Sequence, residues 1–324
     1  MVVPPALPAR YGEKYKMKRQ LFLLIVCAIA WSFCRAQDTS PNSNWQVIVL
    51  GMAQDAGYPQ AGCKKKCCEA FWDGTNPKLN ATCLGLLNNQ AKQAWLFEAT
   101  PDIKNQIHTL DTLGYELSGI FLTHAHIGHY AGLIHLGREV MGSNNIPVYA
   151  MPIMKKFVEN NGPWNQLVEL ENIVIQELKS ETGVKLDAQL TITPFIVPHR
   201  DEYSETVGYK IQGPNQSILF IPDINKWETW NKSLDEEIRN VDYALLDASF
   251  FADGELVGRD MSKIPHPFTS ETMALLKDIP STEKSKVHFI HFNHTNPALF
   301  ESEERETVLQ NGFNIVYEGL IIDL

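Results

Sequence analysis

One short run of residues limits what this chain can fold into more than any other. Residues 123–129 read Thr-His-Ala-His-Ile-Gly-His, after the apolar run Ile120 to Leu122 and before a helix-like stretch from about Ala131 to Val140. This context predicts a loop between a strand and a helix, and the loop holds three of the chain's ten histidines. Neutral imidazole is a common ligand of zinc and also binds iron. We therefore predict that the three histidines of this loop, His124, His126 and His129, bind metal.

The first 36 residues have the character of a secretory signal peptide. Basic residues precede the apolar run Leu21 to Trp31, and Ala36 offers a small residue for cleavage. This run is too short to span a bilayer, which takes roughly 20 residues. We expect residues 1–36 to be removed and residues 37–324 to form one domain that is exported to the periplasm or secreted. A lipid anchor at Cys34 is the less favoured alternative, and either one is the only expected link to a membrane.

The charge of the chain argues against a nucleic-acid partner. The formal net charge is −10, and removal of residues 1–36 leaves 22 basic and 37 acidic residues, a net charge of −15. Binding to phosphate backbones requires a basic surface. We therefore expect a small-molecule or peptide substrate and no nucleic acid.

Four cysteines follow the predicted signal peptide: Cys63, Cys67, Cys68 and Cys83. In an oxidising compartment they allow two disulfides, whereas four thiolates are also a complete ligand set for a structural zinc ion. The adjacent Cys67 and Cys68 require different partners or the same metal. Both interpretations remain open at this point.

Apolar β-rich runs alternate with helical stretches across both halves of the chain, which predicts an α/β fold of two sheets packed face to face with helices outside. Several of these runs end in a residue that binds metal: His199, Asp223, Asp247 and His291. Strand ends that meet at one edge of a sheet bring such residues together. We expect a shared site at that edge.

The histidine run resembles the signature loop of the metallo-β-lactamase-fold superfamily, whose usual form is His-x-His-x-Asp-His. Other segments resemble the branch of that superfamily containing the pyrroloquinoline quinone biosynthesis protein PqqB, namely residues 50–60, 101–103, 197–203, 206–208 and 291–297. The resemblance extends over about residues 45–324. It implies a four-layer αββα sandwich.

The resemblance also implies a set of metal ligands. His124, His126 and His199 would hold a first metal, His129 and His291 would serve a second, and Asp223 would bridge both and orient a water nucleophile. The implied cofactor is one or two Zn²⁺, with Fe²⁺ as the alternative.

This chain departs from the superfamily pattern at Gly128, where the usual loop has an aspartate. The second site is therefore weaker, empty, or completed by another carboxylate. Asp55, on the loop after the first predicted strand, is the candidate for that carboxylate and for a catalytic role; a turn residue before Gly57 is its alternative role. Arg200, His266 and His294 are candidate residues of a substrate pocket.

Three functions compete at the level of sequence. The superfamily and the nearly complete ligand set favour a metal-dependent hydrolase acting on an ester, an amide or a phosphodiester. The PqqB-like branch implies a mononuclear iron-dependent oxygenase as the alternative. A non-catalytic metal-binding protein on the same fold is the third class, because a fold does not determine a function.

Overall fold

The computed structural model describes residues 43–55 and 57–324, so the predicted signal peptide and the alternative anchor at Cys34 lie outside the described residues. A first sheet has the order β14-β1-β2-β3-β4-β5-β6. Its strands are β1 (Trp45–Gly51), β2 (Cys83–Asn88), β3 (Gln93–Phe97), β4 (Glu116–Phe121), β5 (Ile146–Ala150), β6 (Ile173–Glu177) and β14 (Ile321–Asp323).

A second sheet has the order β13-β12-β11-β10-β9-β8-β7. Its strands are β7 (Val184–Lys185), β8 (Thr191–Ile196), β9 (Val207–Gln212), β10 (Ser217–Ile221), β11 (Tyr243–Asp247), β12 (Val287–Ile290) and β13 (Asn314–Ile315). The α-helices span Lys66–Trp72, Ile103–Thr112, Ile127–Tyr130, Pro152–Asn160, Trp164–Glu169, Leu234–Arg239, Thr269–Leu275, Ser281–Lys284 and Glu303–Gln310. The described part of the chain has no helix long and apolar enough to cross a membrane.

The two sheets pack face to face through one apolar core. Phe97 and Phe121 of the first sheet contact Tyr209 of the second, with ring centroids 5.2 and 5.8 Å apart. Strand β10 reads Ser-Ile-Leu-Phe-Ile and is buried throughout, as expected for a strand covered on both faces.

Helices cover the outer faces of the sandwich. Ile103 and Leu110 of one helix and Met154 and Val158 of another pack with the outer face of the first sheet in a second apolar cluster. On the other side, Ile238 and other helical residues join the core of the second sheet. The predicted four-layer αββα fold is thereby confirmed.

Strand direction explains where a site can form. In each sheet, three antiparallel pairs are followed by three parallel pairs. Strands β1, β3 and β4 therefore run in one direction in the first sheet, and β8, β10, β11 and β12 run in one direction in the second. The loops at the carboxyl ends of these seven strands carry the candidate metal ligands and a carboxylate that supports them, as is usual for open α/β sheets.

One local prediction was wrong, and one strand was missed. The helix expected from Ala131 to Val140 is a short α-helix at Ile127–Tyr130 followed by a 3₁₀ segment at Ala131–Leu136. The chain turns at Gly137, which ends the helical conformation. Strand β2 was not predicted, because its Cys83 was assigned to the cysteine cluster rather than to a buried strand.

Candidate metal centre

Nine histidines and carboxylates converge at the shared edge of the two sheets. The first sheet supplies Asp55 after β1 and the histidine loop after β4, and the second sheet supplies residues after β8, β10, β11 and β12. Three overlapping groups of ligand atoms result, each with its atoms within 4.8 Å of one another. The first is His124, His126, His199 and Asp223, and the second is Asp55, His129 and His291. The third is Asp223, Asp247, His266 and His291, so it shares one residue with each of the others.

The first group has the dimensions of a zinc site. Asp223 Oδ2 lies 3.3 Å from His124 Nε2 and 3.2 Å from His199 Nε2. His126 Nδ1 lies 3.3 Å from His199 Nε2 and 2.8 Å from His124 Nε2. Ligands about 2.0–2.1 Å from a tetrahedral zinc are separated by about 3.3 Å, which three of these four distances match. The donor set therefore fits one divalent metal ion.

The second group contains nitrogens that lack a partner. Among the described residues, the buried Nε2 atoms of His129 and His291 have no hydrogen-bond partner. Asp223 Oδ2 lies 3.8 Å from His129 Nε2, so the same carboxylate reaches both groups. Buried polar atoms without partners are costly, and a metal ion would satisfy both nitrogens at once. The residues thus fit a second metal, with Asp223 between the two groups.

Hydrogen bonds orient the imidazoles toward these groups. Glu98 is fully buried and accepts from Thr123 and from His129 Nδ1, the latter at 3.2 Å. Ser249 Oγ lies 3.0 Å from His291 Nδ1. In both histidines the Nδ1 atom is engaged and Nε2 remains for a metal, the arrangement found around metal-binding histidines.

Charges in the site shift several pKa values in opposite directions. Burial lowers the pKa of His129, but the carboxylates of Glu98, Asp223 and Asp55 together outweigh burial and raise that pKa to about 9. Burial and the neighbouring His129 hold the pKa of His124 well below its usual range. Burial raises the pKa of Asp223, but His199 and His266 outweigh it and hold the carboxyl ionised. A metal at His129 must displace a proton, so its binding weakens at lower pH.

Gly128 permits a close approach by the Asp55 loop. A Cβ atom at position 128 would lie 2.4 Å from Asp55 Cα and 2.7 Å from Asp55 O. Asp55 itself has a φ of 45°, a left-handed conformation that aspartate tolerates better than most residues. The structure therefore places the Asp55 loop where the side chain of the superfamily's aspartate would begin.

The predicted four-cysteine cluster is wrong in one member. Cys63, Cys67 and Cys68 lie together with His294. The Sγ atoms of Cys63 and Cys67 are 3.8 Å apart. Two thiolates about 2.3 Å from a tetrahedral zinc are expected to be about 3.8 Å apart, so this distance fits a zinc site. Cys83 lies elsewhere, buried in β2, because its strand packs into the sheet. All four cysteines are free in the structure.

The predicted pocket residues separate into two places. Arg200 and His266 line one cavity beside Asp55, at the metal centre. His294 lines a different, more open cavity formed with Cys63 and Lys64. The assignment of His294 to the substrate pocket was therefore wrong, because the loop after β12 turns this side chain toward the cysteines while His291 faces the metal centre.

Sequence reasoning missed several residues that support the site. Glu98 follows the apolar strand Ala94 to Phe97. An acidic or histidine residue at the end of an apolar run was also the signal that identified His199 and Asp223. Glu202, which the sequence indicated only as a plausible pocket residue, accepts a hydrogen bond from His126 Nε2 at 2.9 Å. Ser249 had no recognisable signal in the sequence.

Comparison with known proteins places the chain in a family. Residues 95–292 match the model of the beta-lactamase superfamily domain, which is more than half of the chain. The protein belongs to the beta-lactamase superfamily.

Relatives within the superfamily agree with the predicted branch. The chain is 26% identical over 312 residues to coenzyme PQQ synthesis protein B of Methylorubrum extorquens (strain PA1), covering 86% of this chain and 99% of the relative. It is 28% identical over 312 residues to the protein of that name in Klebsiella pneumoniae subsp. pneumoniae, covering 86% and 98%. The predicted resemblance to the PqqB-like branch is thereby confirmed.

Solved structures show the same fold. Zn²⁺-bound PqqB from Methylobacterium extorquens has a TM-score of 0.73 at 23% identity, covering 86% of this chain and all of that one. A diphosphatase from the PhnP family has a TM-score of 0.60 at 18% identity, covering 86% and 97%. At these identities the likeness concerns the fold, and function must be argued from the site.

Proposed function

We propose that this protein is a metal-dependent hydrolase that uses water to cleave an ester, an amide or a phosphodiester. The observation that carries the proposal is the pair of adjacent donor groups that share Asp223, one of them with two buried histidine nitrogens that have no other partner among the described residues. When bound, one or two zinc ions would supply a Lewis acid and lower the pKa of a water toward neutrality.

The protein's own residues hold and orient the reactants. Asp223 is 2% exposed and ionised, so its carboxylate accepts a hydrogen bond from the attacking water and aligns it. Asp55 adds a second carboxylate to the group of His129 and His291. His266 Nδ1 donates to Asp247 at 2.8 Å, which fixes the ring at the wall of the cavity.

We also propose a separate structural zinc site at Cys63, Cys67, Cys68 and His294. It lies on the segment that follows β1, so it would fix the loop that carries Asp55. Export of the protein likewise remains a proposal, supported by the basic and apolar segments within residues 14–36.

The direct test is hydrolysis by the zinc-loaded protein of three chromogenic compounds: 4-nitrophenyl acetate, a 4-nitroanilide and bis(4-nitrophenyl) phosphate. We expect turnover of at least one compound and a loss of about 100-fold or more in kcat/KM for Asp223→Asn. His108→Ala is the control, because His108 is exposed on the helix Ile103–Thr112, away from the donor groups.

Two results would reject a hydrolase. Absence of turnover in the metal-loaded protein would favour a non-catalytic metal-binding role. Oxygen consumption dependent on bound iron, without hydrolysis, would favour the oxygenase alternative.

A further inference from the structure

A small cavity at the metal centre is lined by several polar and charged side chains. Its volume is about 210 Å³, and it is bounded by Asp55 and His266 on the side of the metal centre. Its remaining polar walls are Gln54, Arg200, Arg259 and Asn293. The carboxylate of Asp55 belongs to the donor group of His129 and His291, so the other charged groups at this cavity are two guanidinium groups and the ring of His266.

The guanidinium groups of Arg200 and Arg259 are unpaired among the described residues, although acidic residues lie close to both in sequence. Beside Arg200, Asp201 accepts from Thr206 Oγ1 at 2.8 Å and Glu202 pairs with His126 at 2.9 Å. Each carboxylate is therefore used elsewhere.

The same holds around Arg259. Glu255 accepts from the backbone N–H of Phe251 at 2.7 Å and from Thr295 Oγ1. Asp260 accepts from Ser262 Oγ at 2.6 Å and pairs with Lys263 at 3.3 Å. Both arginine side chains are exposed, so in a protein with a net charge of −10 they leave two guanidinium groups available to an anion at this cavity.

A hydrogen-bond chain gives the cavity a third donor. The backbone N–H of Thr295 donates to Asn293 Oδ1 at 3.1 Å, which identifies that atom as the amide oxygen. Asn293 Nδ2 then donates to Gln54 Oε1 at 2.7 Å. Gln54 Nε2 is left as a donor without a partner within residues 43–55 and 57–324, on a side chain that lines the cavity.

We infer that Arg200, Arg259 and Gln54 bind an oxyanion of the substrate, a carboxylate or a phosphate, next to the bond that is hydrolysed. Planar guanidinium groups match the paired oxygens of both anions, and an amide N–H adds a directional donor. This inference rests on the proposed hydrolase function and narrows its substrates to compounds that carry a negative charge beside the scissile group.

The test compares anion binding and substrate selectivity in the zinc-loaded full chain. Calorimetry measures the Kd of inorganic phosphate and of succinate for wild type, Arg200→Gln, Arg259→Gln and the double variant. Bound zinc is measured in each protein. Kinetics then give the ratio of kcat/KM for 4-nitrophenyl hemisuccinate, which carries a carboxylate, to kcat/KM for the neutral 4-nitrophenyl acetate. Arg138→Gln is the matched control, since Arg138 is exposed and pairs with its neighbour Glu139.

We expect the double variant to weaken binding of at least one anion by about tenfold or more with its zinc content unchanged, because charge-assisted hydrogen bonds are lost. Weaker binding of phosphate alone identifies a phosphate-bearing substrate, and weaker binding of succinate alone identifies a carboxylate. The selectivity ratio falls in the second case.

Equal anion affinities in wild type and the double variant would overturn the inference, as would an equal loss in Arg138→Gln. If none of the three chromogenic compounds is hydrolysed, the proposed hydrolase function fails, but the calorimetric comparison still decides whether the arginines bind an oxyanion.

Discussion

At the scale of single residues, the most informative feature is that Asp55 supplies a carboxylate where the histidine loop has Gly128. The superfamily's aspartate is missing from the histidine loop, and Asp55 on a distant loop joins the group of His129 and His291. Gly128 and Asp55 therefore depend on each other sterically. The sequence suggested Asp55 as a replacement, but the reason for the glycine is visible only in three dimensions. Each position should respond differently to substitution.

We predict that Gly128→Ala lowers the free energy of unfolding of the metal-free protein by about 1–3 kcal/mol, since the new Cβ meets the backbone of Asp55 rather than a flexible side chain. Asp55→Asn should leave that stability nearly unchanged, because asparagine also tolerates the left-handed conformation, but should reduce metal bound at the second group. Urea unfolding and metal analysis measure both effects. Equal stability of Gly128→Ala and wild type would refute the steric account.

Glu318 provides a second prediction at this scale, concerning pH. Burial raises the pKa of this carboxyl to about 7, although Asn80 donates a backbone hydrogen bond to it. A raised folded-state pKa means that the proton binds more tightly in the folded protein, so stability is lost as pH rises from about 4.5 to about 7.

We expect Glu318→Gln to flatten this dependence and to be more stable than wild type at pH 8 by about 1 kcal/mol. Urea unfolding at pH 5 and pH 8 tests this, with the exposed Glu228→Gln as control. A Glu318→Gln protein whose stability falls with pH as steeply as that of wild type would contradict the assignment.

At the scale of elements, much of the site was predictable because each ligand follows an apolar strand. The runs that end at His199, Asp223 and His291 are short, β-rich and largely apolar, so their ends were recognisable. The partition of His291 and His294 between two sites was not predictable, because it depends on the left-handed φ of 67° at His291, which redirects the loop. Cys83 was misplaced because cysteine spacing does not reveal burial.

The cysteine cluster gives a prediction at this scale. Cys67→Ser and His294→Ala should each reduce the zinc bound per chain by about one and lower the Tm by several degrees, because a structural zinc ion contributes directly to folding. Cys83→Ala should keep the zinc, since Cys83 lies outside the cluster. Loss of zinc in Cys83→Ala, with none in His294→Ala, would restore the four-cysteine interpretation.

At the scale of the whole molecule, the metal centre joins the two sheets. His124, His126 and His129 leave the first sheet, whereas His199, Asp223 and His291 leave the second. The sandwich was predictable from the alternation of strands and helices. The strand pairing, with three antiparallel and three parallel pairs in each sheet, was not predictable, because it depends on long-range contacts. Metal bound between the halves would act as a cross-link in the folded state alone.

We therefore predict that reloading the metal-free protein with zinc raises its Tm, and that the rise is clearly smaller in His124→Ala/His126→Ala. A ligand that binds only the folded state and is present at 100 times its Kd adds about 2.7 kcal/mol to the free energy of unfolding. Differential scanning calorimetry with and without zinc tests this. An equal rise in both proteins would mean that the cysteine cluster alone accounts for stabilisation by zinc.

The most direct test of the metal centre is the element-resolved metal content of the purified protein beside the His124→Ala/His126→Ala variant. The account predicts that the variant loses one or two zinc ions per chain and retains the ion at Cys63, Cys67, Cys68 and His294. A variant with the metal content of the wild type would contradict the assignment of the centre.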